Sequence, residues 1–460
     1  MKKILFILLA VLVWHIQIRA QDYLPTYFSK ADFEEDIQYL TQKVTHVHPK
    51  FLDAGFCNQW KVYADSVRRD LPDSITFNEG FIRISHLLSF LEDGHTGFSV
   101  PSSERMKYMQ HGGVTMPFTV GLKDDMIVID QYFGDNRSSQ VEGAKISSIN
   151  SIASEEILMK MRKLSGSEKQ SAAVNDQEIE RYFGLYFWMF FGEQTRYHLS
   201  LASPDSIFSI NIAPVSNSTF FELKNKYYPE KNQGNYELSF PEFNTFALLK
   251  IKQFADDLSP FLRQAFDTVR QVNCKNLIID IRDNSGGNSR SVDSLLNYLI
   301  RTPYTQYKSI ALRVSDEVKQ YYQGKKPDTY KLIANLPVDT VFIFDNNMFI
   351  NRPGPESDFF DGNVFVLINN RTYSAAATFA GMVKEYKLGQ LAGQQTGGTI
   401  HYYGDYLTFR LPHMCADFFV APKEFVQRGG DSPVEGVIPD IFLENDYTIS
   451  EIIPKLKFLN

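Results

Sequence analysis

Two apolar runs, Leu277 to Ile281 (broken only by Asp280) and Val364 to Ile368, share one form: each gives way to polar and small residues before an amphipathic pattern begins. Such short, nearly continuous runs suit strands buried on both faces of a largely parallel sheet. After the first, Arg282, Asp283, Asn284, Ser285, Gly286 and Gly287 predict a tight turn, and Val292, Leu295, Leu296, Leu299 and Ile300 then recur at helical spacing. After the second, the polar residues end at Ser374, and Phe379, Met382 and Val383 mark the apolar side of a helix over 375–386. Upstream, residues 22–108 read as a helical region. There Ser29 to Asp32 form a capping pattern before Phe33, Ile37, Leu40 and Val44, His48-Pro49 ends that helix, and Phe77, Phe81, Ile84, Leu88 and Leu91 share one side of a later one. From about 111 to 214 the pattern changes to short strands, such as Met126 to Ile129 and Ala144 to Ile149, with a helix over 154–164. Residues 216–238, rich in Asn, Lys, Glu and Gly, read as a linker, and 304–361 as an irregular insertion with one strand at 341–344. Alternation of Leu407, Phe409 and Leu411, followed by Phe418 to Val420, predicts a hairpin. The sum is an α/β chain whose second half, 239–460, holds the two strand-turn-helix units.

Composition narrows the class. The 460 residues are 43% hydrophobic, enough for two or three domains with a sizeable core. A net charge of −7, a pI of about 5.8 and the lack of any basic run argue against nucleic acid or an anionic membrane as partner. Residues 1–20 have the form of a signal peptide: Lys2 and Lys3, an apolar run from Ile4 to Trp14, and a cleavage position at Ala20. No later stretch reaches the ~18 apolar residues that a membrane-spanning helix needs. The expectation is an exported protein, periplasmic or extracellular, with no integral membrane segment after signal removal. Cys57, Cys274 and Cys415 are too few and too scattered for a disulfide framework. No cluster has metal-ligand spacing, and neither metal nor cofactor is implied.

A strand, a glycine turn and a helix in succession leave backbone N–H groups unpaired, and such groups hold a phosphate, a carboxylate or an oxyanion. Ser374 stands where a helix N-cap belongs, the commonest use of serine there. The same place also exposes its hydroxyl beside the free N–H of Ala375.

The residues resemble a known family at this point. D-I-R-D-N-S-G-G (280–287), followed by N-R-T-Y-S-A-A (370–376), is similar to the core of the tail-specific, or carboxy-terminal processing, serine peptidases. The resemblance implies Ser374 as nucleophile and an oxyanion hole from Gly286 or Gly287 together with the N–H of Ala375. It also implies a stacked ββα, crotonase/ClpP-like core. In the branch with a Ser-Lys dyad the base lies in a segment resembling G-E-x-T-F-G-K-G. Here residues 393–399 read G-Q-Q-T-G-G-T, with Thr399 in the lysine's place, while Lys384 and Lys387 belong to the end of a helix. The tricorn-like branch uses histidine oriented by glutamate. L-E-D-G-H-T-G (91–97) resembles its D-G-H-T element, which implies His95 as base, and V-E-G-V-I-P-D (434–440) resembles its E-x-G-V-x-P-D element, which implies Glu435 as orienter, with Asp440 as a rival carboxylate. Residues 141–152 resemble the G-D-x-I-x-x-I-N-G element of a PDZ domain, so 111–214 is expected to be a PDZ-like β domain. Its peptide-capturing, glycine-rich loop is not evident in the sequence.

The expected activity is that of an exported serine endopeptidase with a Ser374-His95-Glu435 triad, acting on unfolded or C-terminally exposed protein or peptide. The competing class is a non-catalytic peptide- or lipid-binding protein on the same scaffold, which the missing lysine favours. A crotonase-like acyl-CoA enzyme shares the core, but no CoA-binding signature is present. Oligomeric state is not legible in the sequence.

Overall fold

The computed structural model describes residues 26–457 apart from 101, 124, 135–139, 165, 167–171, 205, 229–233, 429–435 and 445–446. The signal-peptide segment and Glu435 therefore lie outside the described residues.

The helical region begins with α1 (Lys30–Val47). Ser29 caps it in a reciprocal box with Asp32, and Phe33, Ile37, Leu40 and Val44 are buried on one face. Helix α2 (Ala54–Arg69) and α3 (Phe77–Ser89) follow, the latter capped by Thr76 and burying Phe77, Phe81, Ile84 and Leu88. After α3 the chain turns through residues 91–96 into a two-residue strand, β1 (Gly97–Phe98). The short-strand region is an antiparallel sheet of β2 (Phe118–Lys123), β3 (Met126–Tyr132), β4 (Lys145–Ile149), β5 (Tyr197–Ser203) and β6 (Ser206–Ile212), in the order β6-β5-β4-β3-β2. Helices α4 (Ser154–Arg162) and α5 (Ala172–Phe191) pack together beside it. The expected linker is not featureless. Residues 217–227 form a helix whose first turn is capped by Ser216, and Tyr236–Glu242 is already a strand of the next sheet. Its polar residues had masked the helix because it buries almost nothing.

The second half is built on a six-stranded sheet, β7 (Tyr236–Glu242), β8 (Phe246–Ile251), β9 (Asn276–Asp280), β12 (Asn363–Ile368), β13 (Gln390–Gly393) and β18 (Ile441–Phe442), in that order. All pairs are parallel except β7-β8. The two apolar runs of the sequence are β9 and β12, central neighbours in register Leu277↔Val364 and Ile279↔Val366. One face of the sheet packs on α6 (Leu258–Gln271), α7 (Ser289–Leu296) and α10 (Ala375–Glu385). The other packs on α11 (Ile449–Lys457) through Ile278, Phe365, Leu367, Ile452, Ile453 and Leu456. Burial on both faces is why these strands read as unbroken apolar runs.

A second, antiparallel sheet runs β11-β10-β17-β14, made of β10 (Tyr307–Val314), β11 (Thr340–Ile343), β14 (His401–Gly404) and β17 (Lys423–Gln427). The stretch expected to be an irregular insertion thus holds two strands and two helices, α8 (Asp316–Lys325) and α9 (Pro327–Ile333). Lys308 and Arg313 interrupt the apolar pattern of β10, yet Arg313 is itself buried against the His48 carbonyl, and this hid the strand. The expected hairpin is β15 (Leu407–Arg410) and β16 (Asp417–Val420), and β16 pairs with β1 from the N-terminal region. Among the described residues no helix is long and apolar enough to cross a membrane.

Candidate active site

Parallel pairing of β9 with β12 brings their C-terminal ends side by side, so the glycine turn and Ser374 emerge at the same edge of the sheet, where open α/β sheets bind ligands. The polar residues of the two turns stitch them together. Asp283 N–H donates to Asn369 Oδ1 and Asn369 Nδ2 to Asp283 Oδ1, both at 3.0 Å. Tyr373 N–H donates to the Asn284 carbonyl at 2.9 Å, and Thr372 Oγ1 to that of Ile281 at 3.0 Å. Buried Asn284 spans the turn, its Nδ2 donating to the Ile251 carbonyl at 2.9 Å and its Oδ1 accepting the Gly286 N–H at 2.8 Å.

Ser374 adopts φ 50° and ψ −124°, and its side chain caps nothing. A non-glycine residue there carries about 1–3 kcal/mol of strain, which the surrounding contacts must hold in place. They are close. The Gly398 N–H donates to the Thr372 carbonyl at 3.0 Å, and a Cβ on Gly398 would stand 2.9 Å from Ser374 N and 2.7 Å from Ala377 Cβ. The three alanines after Ser374 are all buried, so their small size serves close packing. A strained strand-to-helix turn of this kind lifts a serine hydroxyl out of the sheet.

Of the expected oxyanion donors, the Gly286 N–H is committed to Asn284. Those of Gly287 and Ala375 have no hydrogen-bond partner among the described residues. Both glycines are required by the backbone. Gly286 (φ 106°) lies close to Ser374, where a Cβ would approach Ser374 Cβ at 2.7 Å and Ala375 N at 2.9 Å. Gly287 (φ 131°) is pinned by Phe254, whose carbonyl a Cβ would strike.

His95 reaches this edge from the N-terminal region. Pairing of Phe98 with Phe418 and of Gly97 with Phe419 fixes the strand after it, and Thr96 Oγ1 accepts the Ala421 N–H at 3.0 Å. Its Nε2 stands 3.3 Å from Ser374 Oγ. The ring lies between Tyr373 (centroids 5.5 Å, 16° between planes) and Tyr402 (5.4 Å, 35°). A Cβ on Gly94 would meet the Tyr373 hydroxyl, which accounts for that glycine in the D-G-H-T element. Burial lowers the His95 pKa, and the charge of Asp93 restores it only in part. The imidazole is therefore neutral at neutral pH, the form a general base needs.

One carboxylate beside His95 escaped the sequence reading. Fully buried Asp93 accepts the His95 backbone N–H at 2.9 Å and pairs with His48 Nε2 at 3.1 Å. Burial alone would raise its pKa, but His48, His95 and Thr96 outweigh that and hold it at about 2. His48 Nδ1 accepts the Lys50 N–H at 3.2 Å, so the proton sits on Nε2 and points at Asp93. The sequence signal was an aspartate two residues before the histidine, next to a histidine at a helix end. Asp93 Oδ1 is 3.9 Å from His95 Nδ1, beyond hydrogen-bond range, and that nitrogen is buried without a partner among the described residues.

The remaining expected residues separate cleanly. Asp440 accepts the Leu391 N–H at 2.8 Å and clamps the segment before β18 to β13. Thr399, in the dyad lysine's place, is buried and donates to the His401 carbonyl at 2.7 Å. Lys384 lies ten residues along the chain from Ser374, on α10, roughly 15 Å away along the axis at 1.5 Å per residue. Its ammonium approaches the Ile438 carbonyl at 3.4 Å. Ser374, His95, Gly287 and Ala375 open into a cleft of about 1270 Å³ whose far walls come from β10, β14 and α7.

Residues 245–441 match the model of peptidase family S41. No curated protein sequence matches the chain. Among solved structures, mature CPAF superposes with a TM-score of 0.63 at 14% identity, covering 90% of this chain and 93% of that one. Mature CPAF complexed with lactacystin superposes at 0.61 and 14%, covering 90% and 94%. At that identity the likeness speaks to the fold, which extends through the N-terminal region as well as the matched segment. Over residues 245–441 the chain is thus similar to peptidase family S41, the tail-specific serine peptidases.

Proposed function

We propose that this protein is an exported serine endopeptidase in which Ser374 attacks the peptide carbonyl and His95 is its base. The observation that carries the reading is the strained Ser374 turn with an uncapped hydroxyl 3.3 Å from His95 Nε2. A serine used only as a helix cap has no reason for either feature. The contact is slightly long for catalysis, as is common before substrate tightens it. On attack, Nε2 takes the hydroxyl proton, the carbonyl oxygen becomes an oxyanion held by the Gly287 and Ala375 N–H groups, and the imidazolium returns the proton to the leaving amine. Water then releases the acyl group by the same route. His95 Nδ1 lacks a partner among the described residues, and this leaves room for the orienting carboxylate assigned to Glu435. The substrates are unfolded or C-terminally exposed polypeptides, and the PDZ-like β domain is the candidate to capture their ends. Hydrolysis of an unfolded protein should vanish in both Ser374→Ala and His95→Ala while each variant retains the wild-type melting temperature. Undiminished hydrolysis by either one would refute the assignment.

A further inference from the structure

The wall of the cleft formed by α7 and β10 contains two acceptors with no donor. Asp293, on α7, receives three hydrogen bonds on a single oxygen: Oδ1 accepts from Gln306 Nε2 (2.6 Å), Asn351 Nδ2 (2.9 Å) and the Tyr304 hydroxyl (3.1 Å). Its Oδ2 has no partner among the described residues, and the carboxylate makes no ion pair there. Gln306 is 4% exposed, and its Oε1 is buried without a hydrogen bond. The orientation of that amide is fixed, because both groups facing Nε2 are acceptors, Asp293 Oδ1 and the Ser289 carbonyl at 2.9 Å. Asp293, Gln306, Asn351 and Tyr307 all line the cleft that holds Ser374 and His95.

A half-buried carboxylate without a counter-ion is costly, and an unmatched acceptor beside it adds to the cost. Burial raises the pKa of Asp293, and its hydrogen bonds offset this only in part. Of the three lysine and arginine side chains lining the cleft, two are in use. Lys326 and Lys423 both pair with Asp405, the latter at 2.8 Å. Arg290, three residues before Asp293 on the same helix, forms no ion pair among the described residues. Tyr307 contributes an aromatic wall, its hydroxyl 3.4 Å from that of Tyr402, which in turn borders His95. A carboxylate oxygen, an amide oxygen and an aromatic ring together match a planar, many-donor cation.

We propose that Asp293 and Gln306 form a specificity subsite that selects substrates carrying a basic side chain, with arginine favoured over lysine. This deepens the peptidase reading and rests on it for the position of the scissile bond. Asp293 is a substrate-binding residue here and takes no part in the bond-breaking steps. Asp293→Asn is a conservative test, since the amide oxygen can still accept the three hydrogen bonds now made to Oδ1 while the unpartnered oxygen is replaced by a donor.

The experiment has two arms. In the first, a peptide library is cleaved by wild type and by Asp293→Asn, with thermal unfolding as the check on folding. A preference for arginine and lysine at one fixed position from the cut is expected, and the basic-to-neutral ratio of kcat/KM should fall at least tenfold in Asp293→Asn. In the second, calorimetry measures binding of an arginine-containing peptide and its norleucine counterpart to Ser374→Ala and to Ser374→Ala/Asp293→Asn. The arginine peptide should bind at least tenfold more weakly to the double variant, with the norleucine peptide little changed. Cleavage without basic preference, together with equal binding of the two peptides, would overturn the subsite and leave the peptidase reading intact. Selective binding without any cleavage would support the subsite and sink the peptidase reading. A basic preference that emerges only in Arg290→Ala would make Arg290 the counter-ion of Asp293 and also overturn the proposal.

Discussion

Ser374 leaves no room for a Cβ at Gly286 across the two turns, so each constrains what the other can be. Replacing Gly286 by alanine would place a methyl 2.7 Å from Ser374 Cβ, in a backbone conformation (φ 106°) that alanine resists. Gly286→Ala should therefore displace Ser374 from the proposed oxyanion donors and lower kcat by about two to three powers of ten, with KM changed much less. Steady-state kinetics on a fluorogenic peptide would show it, and full turnover would mean that the turn is only a connection. Gly287→Ala is a poorer probe, because its methyl collides with the Phe254 carbonyl and threatens the fold. The serine and both glycines stand out in the sequence because each occupies a break in a strong pattern, and the structure brings them to one edge of the sheet. The sequence left the choice between the glycines open, because the Asn284 bond that removes Gly286 from contention is a side-chain geometry that spacing does not encode. Asp93 stayed hidden for a similar reason: its partner His48 is 45 residues away in sequence and read as a simple helix end.

The element on which the proposed catalysis most depends is among the shortest. Strand β1 spans two residues, yet its pairing with β16 brings His95 to a serine 279 positions away in the chain. Thr96 anchors that strand through the buried hydrogen bond from Ala421. Thr96→Val keeps the volume and leaves a buried N–H without an acceptor, a loss of about 1–3 kcal/mol. Chemical denaturation should register this, and kcat should fall by more than the fraction unfolded explains. Unchanged kcat in a folded variant would show that the Thr96 bond has no part in holding His95. The hairpin partner of β1 was predicted from its alternation, whereas β1 was not. Two residues carry no periodicity, and only the D-G-H-T resemblance singled out the loop. Strand β10 was missed because Lys308 and Arg313 fall within its apolar pattern, and Arg313 is buried by a carbonyl and by Asp339, which the linear pattern cannot reveal.

For the molecule as a whole, the buried His48–Asp93 pair ties the end of α1 to the loop bearing His95, so the fold and the proposed base share one acid-sensitive point. The folded Asp93 carboxyl is held at about 2, below its unfolded value, so it stabilises the fold above the ordinary carboxylate range, and that contribution fades as pH falls toward 2. Asp93→Asn should lower the melting temperature at neutral pH and flatten its decline between roughly pH 5 and pH 2. Parallel acid curves for the two proteins would contradict the linkage. The fold class was legible because both central strands are buried on two faces, and the meeting of the two halves was expected only from the family resemblance.

The central claim is that His95 activates Ser374, and labelling by a fluorophosphonate probe, resolved in pH and mapped by mass spectrometry, tests it most directly. The neutral imidazole is the active form and burial lowers its pKa, so the labelling rate should rise with pH to a plateau, with a midpoint below the usual histidine value of ~6.5. The label should sit on Ser374 alone, fall by several powers of ten in His95→Ala, and be unchanged in Lys384→Ala. Labelling of Ser374 that survives His95→Ala, or a midpoint well above neutrality that is lost with Lys384, would contradict the account.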